Sequence, residues 1–196
     1  MTKVSIRHRL ACSLITFSLI HLMTDDVHAD NGVDIVSYFR HQESENGAGL
    51  ARKTKLVDVR IAAPGEIIVT TIKGEGKETQ SPPAKPGDMV VRNRCPETGN
   101  EEILVSREAF LRRYKRTLSK VQKNAWTPYW PIGLPMRFIR VPLNEREFIF
   151  NAPWGERMMV RPGDVIVQDP TNIGDTYRVA KAAFDCTYEI QKEPSN

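Results

Sequence analysis

Apolar residues in this chain fall in short alternating runs, the mark of half-buried strands, and the order of those runs occurs twice. In the first pass "KLVDVRIA" and "EIIVTTI" read as strands, with Gly74-Glu75-Gly76 as the turn after them. "SPPAKPGD" is extended and delivers the chain to a third strand, "DMVVRN". The loop "RCPETGN" then leads to "EEILVS", which pairs back as a hairpin. Ser106 is a good N-cap for a helix carrying Phe110 and Tyr114. In the second pass "RFIRV" and "EFIFN" are strands, "APWGE" a turn and "MMVRPGDVIVQD" the entry to the next strand. "PTNIGD" is a loop, "TYRVA" the return strand and "KAAFDCTYEI" a closing short helix.

Equivalent positions recur at a period of roughly 75 residues, which marks a duplicated supersecondary unit. Pro86-Gly87-Asp88 answers Pro162-Gly163-Asp164, Val105 answers Val179, Phe110 answers Phe184 and Tyr114 answers Tyr188. The predicted fold class is α+β: two homologous small antiparallel β units, each with a short helix, packed as a pseudo-twofold pair. Residues 55–123 make the first unit with an extended basic helix, and 124–136 an aromatic, proline-rich crossover. Residues 137–190 make the second unit and 191–196 a polar tail. Ahead of these, 30–54 reads as a linker, in which "VDIVSYF" forms a brief helix or a docking strand.

The Pro-Gly-Asp triplet has a physical role. Proline sets φ for the second position of a turn, and glycine supplies the positive φ that a type II turn needs next. Aspartate then accepts hydrogen bonds from nearby amides. The structural reading therefore gives Asp88 and Asp164 to turns. The catalytic alternative sets them as paired carboxylates in a shared cleft, with Glu189 or Tyr188 nearby, for hydrolase-like acid–base work.

The second copy, through Pro162, Gly163, Asp164, Tyr177, Val179, Phe184, Thr187, Tyr188 and Glu189, resembles the bacterial PGDYG-motif family. The first copy keeps Pro86, Gly87, Asp88, Val105, Phe110 and Tyr114. Both depart from the family name after the aspartate, reading Met89-Val90 and Val165-Ile166. The resemblance covers most of residues 85–190 and implies no established activity.

Residues 1–29 read as a signal peptide: Lys3, Arg7 and Arg9, then "LACSLITFSLIHLM", then Val27-His28-Ala29 at the expected cleavage point. That implies a periplasmic or secreted protein. The alternative is a cytoplasmic start at Met23, opening "MTDD". Cys12 belongs to the leader, which leaves Cys95 and Cys186 at non-equivalent places in the two copies. One disulfide is open to them, but two unrelated thiols is the plainer reading. The net charge of +4 permits an anionic partner without requiring one.

Candidate chemistry is sparse. Outside the leader, His41 is the one histidine, which argues against Ser-His-Asp or Cys-His catalysis and against a histidine zinc site. "GEGKET" fails the spacing of a phosphate loop, since Thr71 stands five before Gly76 and Glu78 occupies the Ser/Thr position. No metal or cofactor is expected. "SREAFLRRYKRTLSKVQK" is strongly basic, with Phe110, Tyr114, Leu118 and Val121 at helical spacing. Its cations Arg112, Arg113 and Arg116 lie next in sequence to Trp126, Tyr129 and Trp130, and Trp154 sits in a later turn. Together they are the candidate surface for an anionic ligand or a protein partner. A solvated helix face beside core-covering aromatics is the structural alternative. The expected function is a non-enzymatic binding or interaction module. The alternatives are the paired-aspartate enzyme and a nucleic-acid binder working through the basic helix.

Overall fold

The computed structural model describes residues 32–117 and 126–195. The proposed leader lies outside these residues, as do Leu118 and Val121. The fold is α+β, with three helices and mostly antiparallel sheets among the described residues.

The first sheet is built on β2 (Val57–Ile61), β5 (Met89–Asn93) and β6 (Glu102–Val105). β7 (Tyr114–Arg116) and β8 (Thr127–Pro131) complete it, in the order β6-β5-β2-β8-β7. The second sheet holds β9 (Met136–Arg140), β12 (Val165–Asp169), β13 (Asn172–Val179) and β14 (Tyr188–Lys192). With β1 (Gly49–Lys53) it reads β13-β12-β9-β1-β14. Two hairpins stand apart, β3 (Val69–Ile72) with β4 (Gly76–Gln80) and β10 (Phe148–Asn151) with β11 (Arg157–Val160). The two orders correspond strand for strand, with one exchange. β1 precedes β2 in sequence yet pairs with β9 and β14, and β8 precedes β9 yet pairs with β2 and β7.

Alternation explains the strands. In β2 Val57 and Val59 face a core with Val91, Val105 and Phe110, while Asp58 turns outward to Arg92 and Arg94. β12 is buried on both faces: Val165 and Val167 meet Phe138 and Phe184, and Ile166 meets Phe39 and Phe150. Phe138 and Phe184 are fully buried, so truncating either to alanine costs about 3–5 kcal/mol.

Each Pro-Gly-Asp turn is stapled in the same way. Asp88 N–H donates to Lys85 O at 3.1 Å, and Asp164 N–H to Arg161 O at 3.0 Å. Gly87 and Gly163 sit at φ 92° and 85°, the left-handed region that the turn demands. One Asp88 oxygen accepts from Lys85 N at 2.8 Å and the other from Arg107 N at 3.2 Å, the first residue of α2 (Arg107–Arg113). Asp164 repeats this with Arg161 N at 2.8 Å and Lys181 N at 3.2 Å, the first residue of α3 (Lys181–Thr187). The aspartate thus joins a turn to the helix start. One helical turn later Phe110 stacks on Tyr114 at 5.1 Å, and Phe184 on Tyr188 at 4.8 Å.

Four sequence expectations are corrected here. The expected brief helix in "VDIVSYF" forms and runs on to Asn46 as α1 (Ile35–Asn46), which covers the second sheet through Ile35 and Phe39, and the segment read as linker after it carries β1, an interior strand of that sheet. The basic helix stops at Arg113, because Tyr114 turns extended and starts β7. Within the expected crossover, Thr127–Pro131 form a strand, β8. "PTNIGD" is not wholly loop, since β13 begins at Asn172.

Candidate functional site

A cavity of about 570 Å³ is lined from both sheets, from both free-standing hairpins and from the two short helices. That volume lies in the range of small-molecule sites. Its walls combine aliphatic residues such as Ile103, Val179 and Met158 with a band of tyrosines and a set of charges.

Lys53, the last residue of β1, stands opposite Tyr188 in the strand register and borders the cavity. Its Nζ donates to Asn93 Oδ1 at 2.6 Å, and Asn93 Nδ2 donates to Glu101 Oε1 at 2.6 Å. Thr98 Oγ1 donates to the other Glu101 oxygen. Among the described residues no carboxylate lies within 4.0 Å of Lys53 Nζ, so its one close partner is a neutral amide. Burial pulls the Lys53 ammonium below the usual lysine range. Glu101 and Tyr177 oppose that pull and Arg113 adds to it.

Tyr114, Tyr177 and Tyr188 line the same space. Burial pushes Tyr114 up to about 12 and raises Tyr177 and Tyr188, the last reinforced by its neighbour Tyr177. All three keep their protons at neutral pH, and the Tyr177 and Tyr188 hydroxyls hydrogen-bond each other. Arg113, at the end of α2, pairs with Asp175, and its guanidinium lies 5.9 Å from the Tyr177 ring centroid. Trp154 closes one side at 6.3 Å from Tyr177.

Glu78 borders the cavity from β4 and accepts from Arg178 Nη1 at 2.5 Å. Arg178, with a side chain only 1% exposed, also reaches Asp164 at 2.8 Å and Glu75 at 2.7 Å. Burial raises Glu78 to about 7 despite the opposing pull of Arg178, with Glu101 and Glu75 adding to the rise.

Cys95 and Cys186 form a disulfide, with Cα atoms 6.1 Å apart. This corrects the expectation of two unrelated thiols. The bond lies two residues beyond Asn93 and two residues before Tyr188, so it pins both strands that carry cavity residues.

The sequence-predicted residues divide. Arg113 and Trp154 line the cavity. Arg112 and Arg116 are exposed. Trp126 lies under the guanidinium groups of Arg92, at 4.2 Å, and Arg60, at 5.4 Å, and does not line the cavity. Tyr129 packs edge-on against Phe110 at 5.1 Å, and Trp130, 45% exposed, stands across from Lys115. The structure therefore does not gather these aromatics into one groove.

The paired-aspartate alternative finds no shared site either. Asp88 and Asp164 are each occupied by their own turn and helix, and Glu189 meets Arg52 at 3.2 Å on an exposed strand. Of the three, Asp88 alone borders the cavity. Sequence reasoning missed Lys53, Glu78, Asn93 and Glu101. The one available signal was the recurrence of Tyr114 and Tyr188 in the sequence, both of which line the cavity.

Comparison with protein-family models, with curated proteins and with solved structures finds no match to this chain.

Proposed function

We propose that this chain is a non-enzymatic binding module whose ligand is a small organic molecule held in the cavity between the two five-stranded sheets. The observation that carries this reading is Lys53: an amine side chain bordering a tyrosine-lined cavity, with a neutral amide as its close partner. Burial disfavours the charge of this amine, and a ligand in the cavity would complete its set of partners. Tyr177, Tyr188 and Trp154 supply flat apolar surface, while Lys53 and the tyrosine hydroxyls supply directional contacts.

The same reading takes the two sheets as homologous units related by a pseudo-twofold. It is supported by the corresponding strand orders, the matching Asp88 and Asp164 staples and the matching Phe–Tyr stacks. Membership of the PGDYG-motif family belongs to this proposal and rests on the two Pro-Gly-Asp turns. Export to the periplasm also belongs to it. The Cys95–Cys186 disulfide favours an oxidising compartment, and no helix of the described residues is long and apolar enough to cross a membrane.

The test is titration with anilinonaphthalene sulfonate, an aromatic anion that fluoresces on leaving water. Saturable binding to the folded protein is expected. It should be abolished by Ala109→Trp, which fills the cavity from α2, and weakened by Lys53→Met. Binding that ignores both substitutions would place the probe elsewhere and refute the reading.

A further inference from the structure

Lys53 differs from the exposed lysines in a way that binding alone does not use. Lys181 is paired with Asp185 at 2.5 Å on the surface, and Lys55 is exposed. Lys53 points into a cavity roomy enough for a reactant, and Asn93 fixes the direction of its nitrogen at 2.6 Å. Glu101, the nearest source of negative charge in this network, reaches it through Asn93 and not by direct contact. An amine in this setting is a nucleophile held in place beside empty space.

We infer that Lys53 is the attachment point for an aldehyde- or ketone-bearing small molecule, which it captures reversibly as an imine. The inference rests on the cavity reading above. In the step itself the Lys53 nitrogen attacks the carbonyl carbon and forms the C–N bond of a carbinolamine, while the carbonyl oxygen gains a proton. That oxygen then leaves as water. The nitrogen gives up both of its amine protons over the two stages, and a C=N bond replaces the C=O bond. Nothing is oxidised or reduced, so no co-reactant is required. Burial supports the step because it favours the neutral amine, the form that attacks. Tyr177 and Tyr188, protonated at neutral pH and hydrogen-bonded to each other, line the same cavity and can protonate the departing oxygen. The surrounding rings favour a carbonyl compound with a planar, apolar body.

The test uses the intact chain with benzaldehyde and cyanoborohydride at neutral pH, which reduces an imine to a stable secondary amine. Peptide mass mapping then gives the labelling rate at each lysine. Lys53 should label several-fold faster than Lys55 or Lys181, because burial favours its neutral, attacking form. Ala109→Trp should slow Lys53 and leave Lys55 unchanged. Lys53→Arg should remove the fast phase entirely. Equal rates at Lys53 and Lys55 in the unmodified protein overturn the inference, and that comparison needs no variant to fold. If the rates are equal while anilinonaphthalene sulfonate still binds and is displaced by Ala109→Trp, the covalent step alone has failed. If the probe also fails to bind, the cavity reading has failed with it.

Discussion

Arg178 Nη1 donates to Glu78 at 2.5 Å, joining a strand of the second half to a hairpin of the first across 100 positions. The same guanidinium serves Asp164 and Glu75, so three carboxylates converge on one buried cation. Under the proposed repeat Leu104 is the matching position, one before Val105 as Arg178 is one before Val179. Leu104 packs with Ile68, Val90 and Trp126. Arg178→Leu should therefore cost about 3–5 kcal/mol, because it leaves the buried Glu78 carboxylate without its cation and takes one partner from Asp164 and Glu75. Adding Glu78→Leu should return part of the loss. Urea unfolding measures both, and a single-variant loss below ~1 kcal/mol would mean that the cluster does not hold the halves together.

Glu78 and Glu66 set opposite pH dependences. Glu78 is raised to about 7 from its ordinary 4.5, so the folded state holds the extra proton between these values. Its contribution is full below 4.5 and is lost as pH rises through about 7. Glu66, lowered to about 2 from 4.5 by its hydrogen bonds with Arg60, contributes above 4.5 and loses that as pH falls toward 2. Glu78→Gln should flatten the stability profile in the upper window only, and Glu66→Gln in the lower only. Thermal unfolding midpoints across pH read both, and an unchanged upper slope in Glu78→Gln would refute the assignment.

Much of the fold was legible because its elements are locally consistent. The strands alternate, the Pro-Gly-Asp turns carry their own geometry, and Ser106 caps α2 as its position suggests, accepting from Ala109 N at 3.3 Å. What escaped sequence reasoning depends on distant partners. β1, "GLARK", looks polar because Arg52 faces solvent and Lys53 faces the cavity, and only pairing with β9 and β14 makes it a strand. In α2 the apolar spacing runs on through Leu118, but pairing of Tyr114 with Pro131 converts the chain to β7. Lys53, Glu78 and Asn93 lie far apart in sequence and show no shared motif. Their convergence exists only once the two sheets face a common cavity.

The disulfide closes a loop with a sequence separation of 91, and removing it frees the unfolded chain by about 4–5 kcal/mol in the chain-entropy picture. Cys95→Ser with Cys186→Ser should lower the unfolding midpoint, and a thiol reductant should do the same to the unmodified protein. The reductant should have no further effect on the double variant. Anilinonaphthalene sulfonate binding should weaken as well, since the bond pins the segments carrying Asn93 and Tyr188. An unchanged midpoint on reduction would show that the bond is not formed in the folded protein.

Asp88 and Asp164 share one local role, but only Asp164 also holds Arg178, with Arg178 Nε at 2.8 Å. Asp88→Ala removes a turn acceptor and a helix cap, a loss of about 1–2 kcal/mol. Asp164→Ala removes the same bonds and one counter-charge of a buried guanidinium, so it should cost about 2–4 kcal/mol. Asp164→Asn keeps one acceptor oxygen and should fall between the unmodified protein and Asp164→Ala, with cavity probe binding retained. Paired catalytic aspartates make a different forecast. Either substitution would then spare stability and remove an activity. Equal and small losses at the two positions would argue against the staple-and-anchor role and return Asp164 to the list of reactive groups.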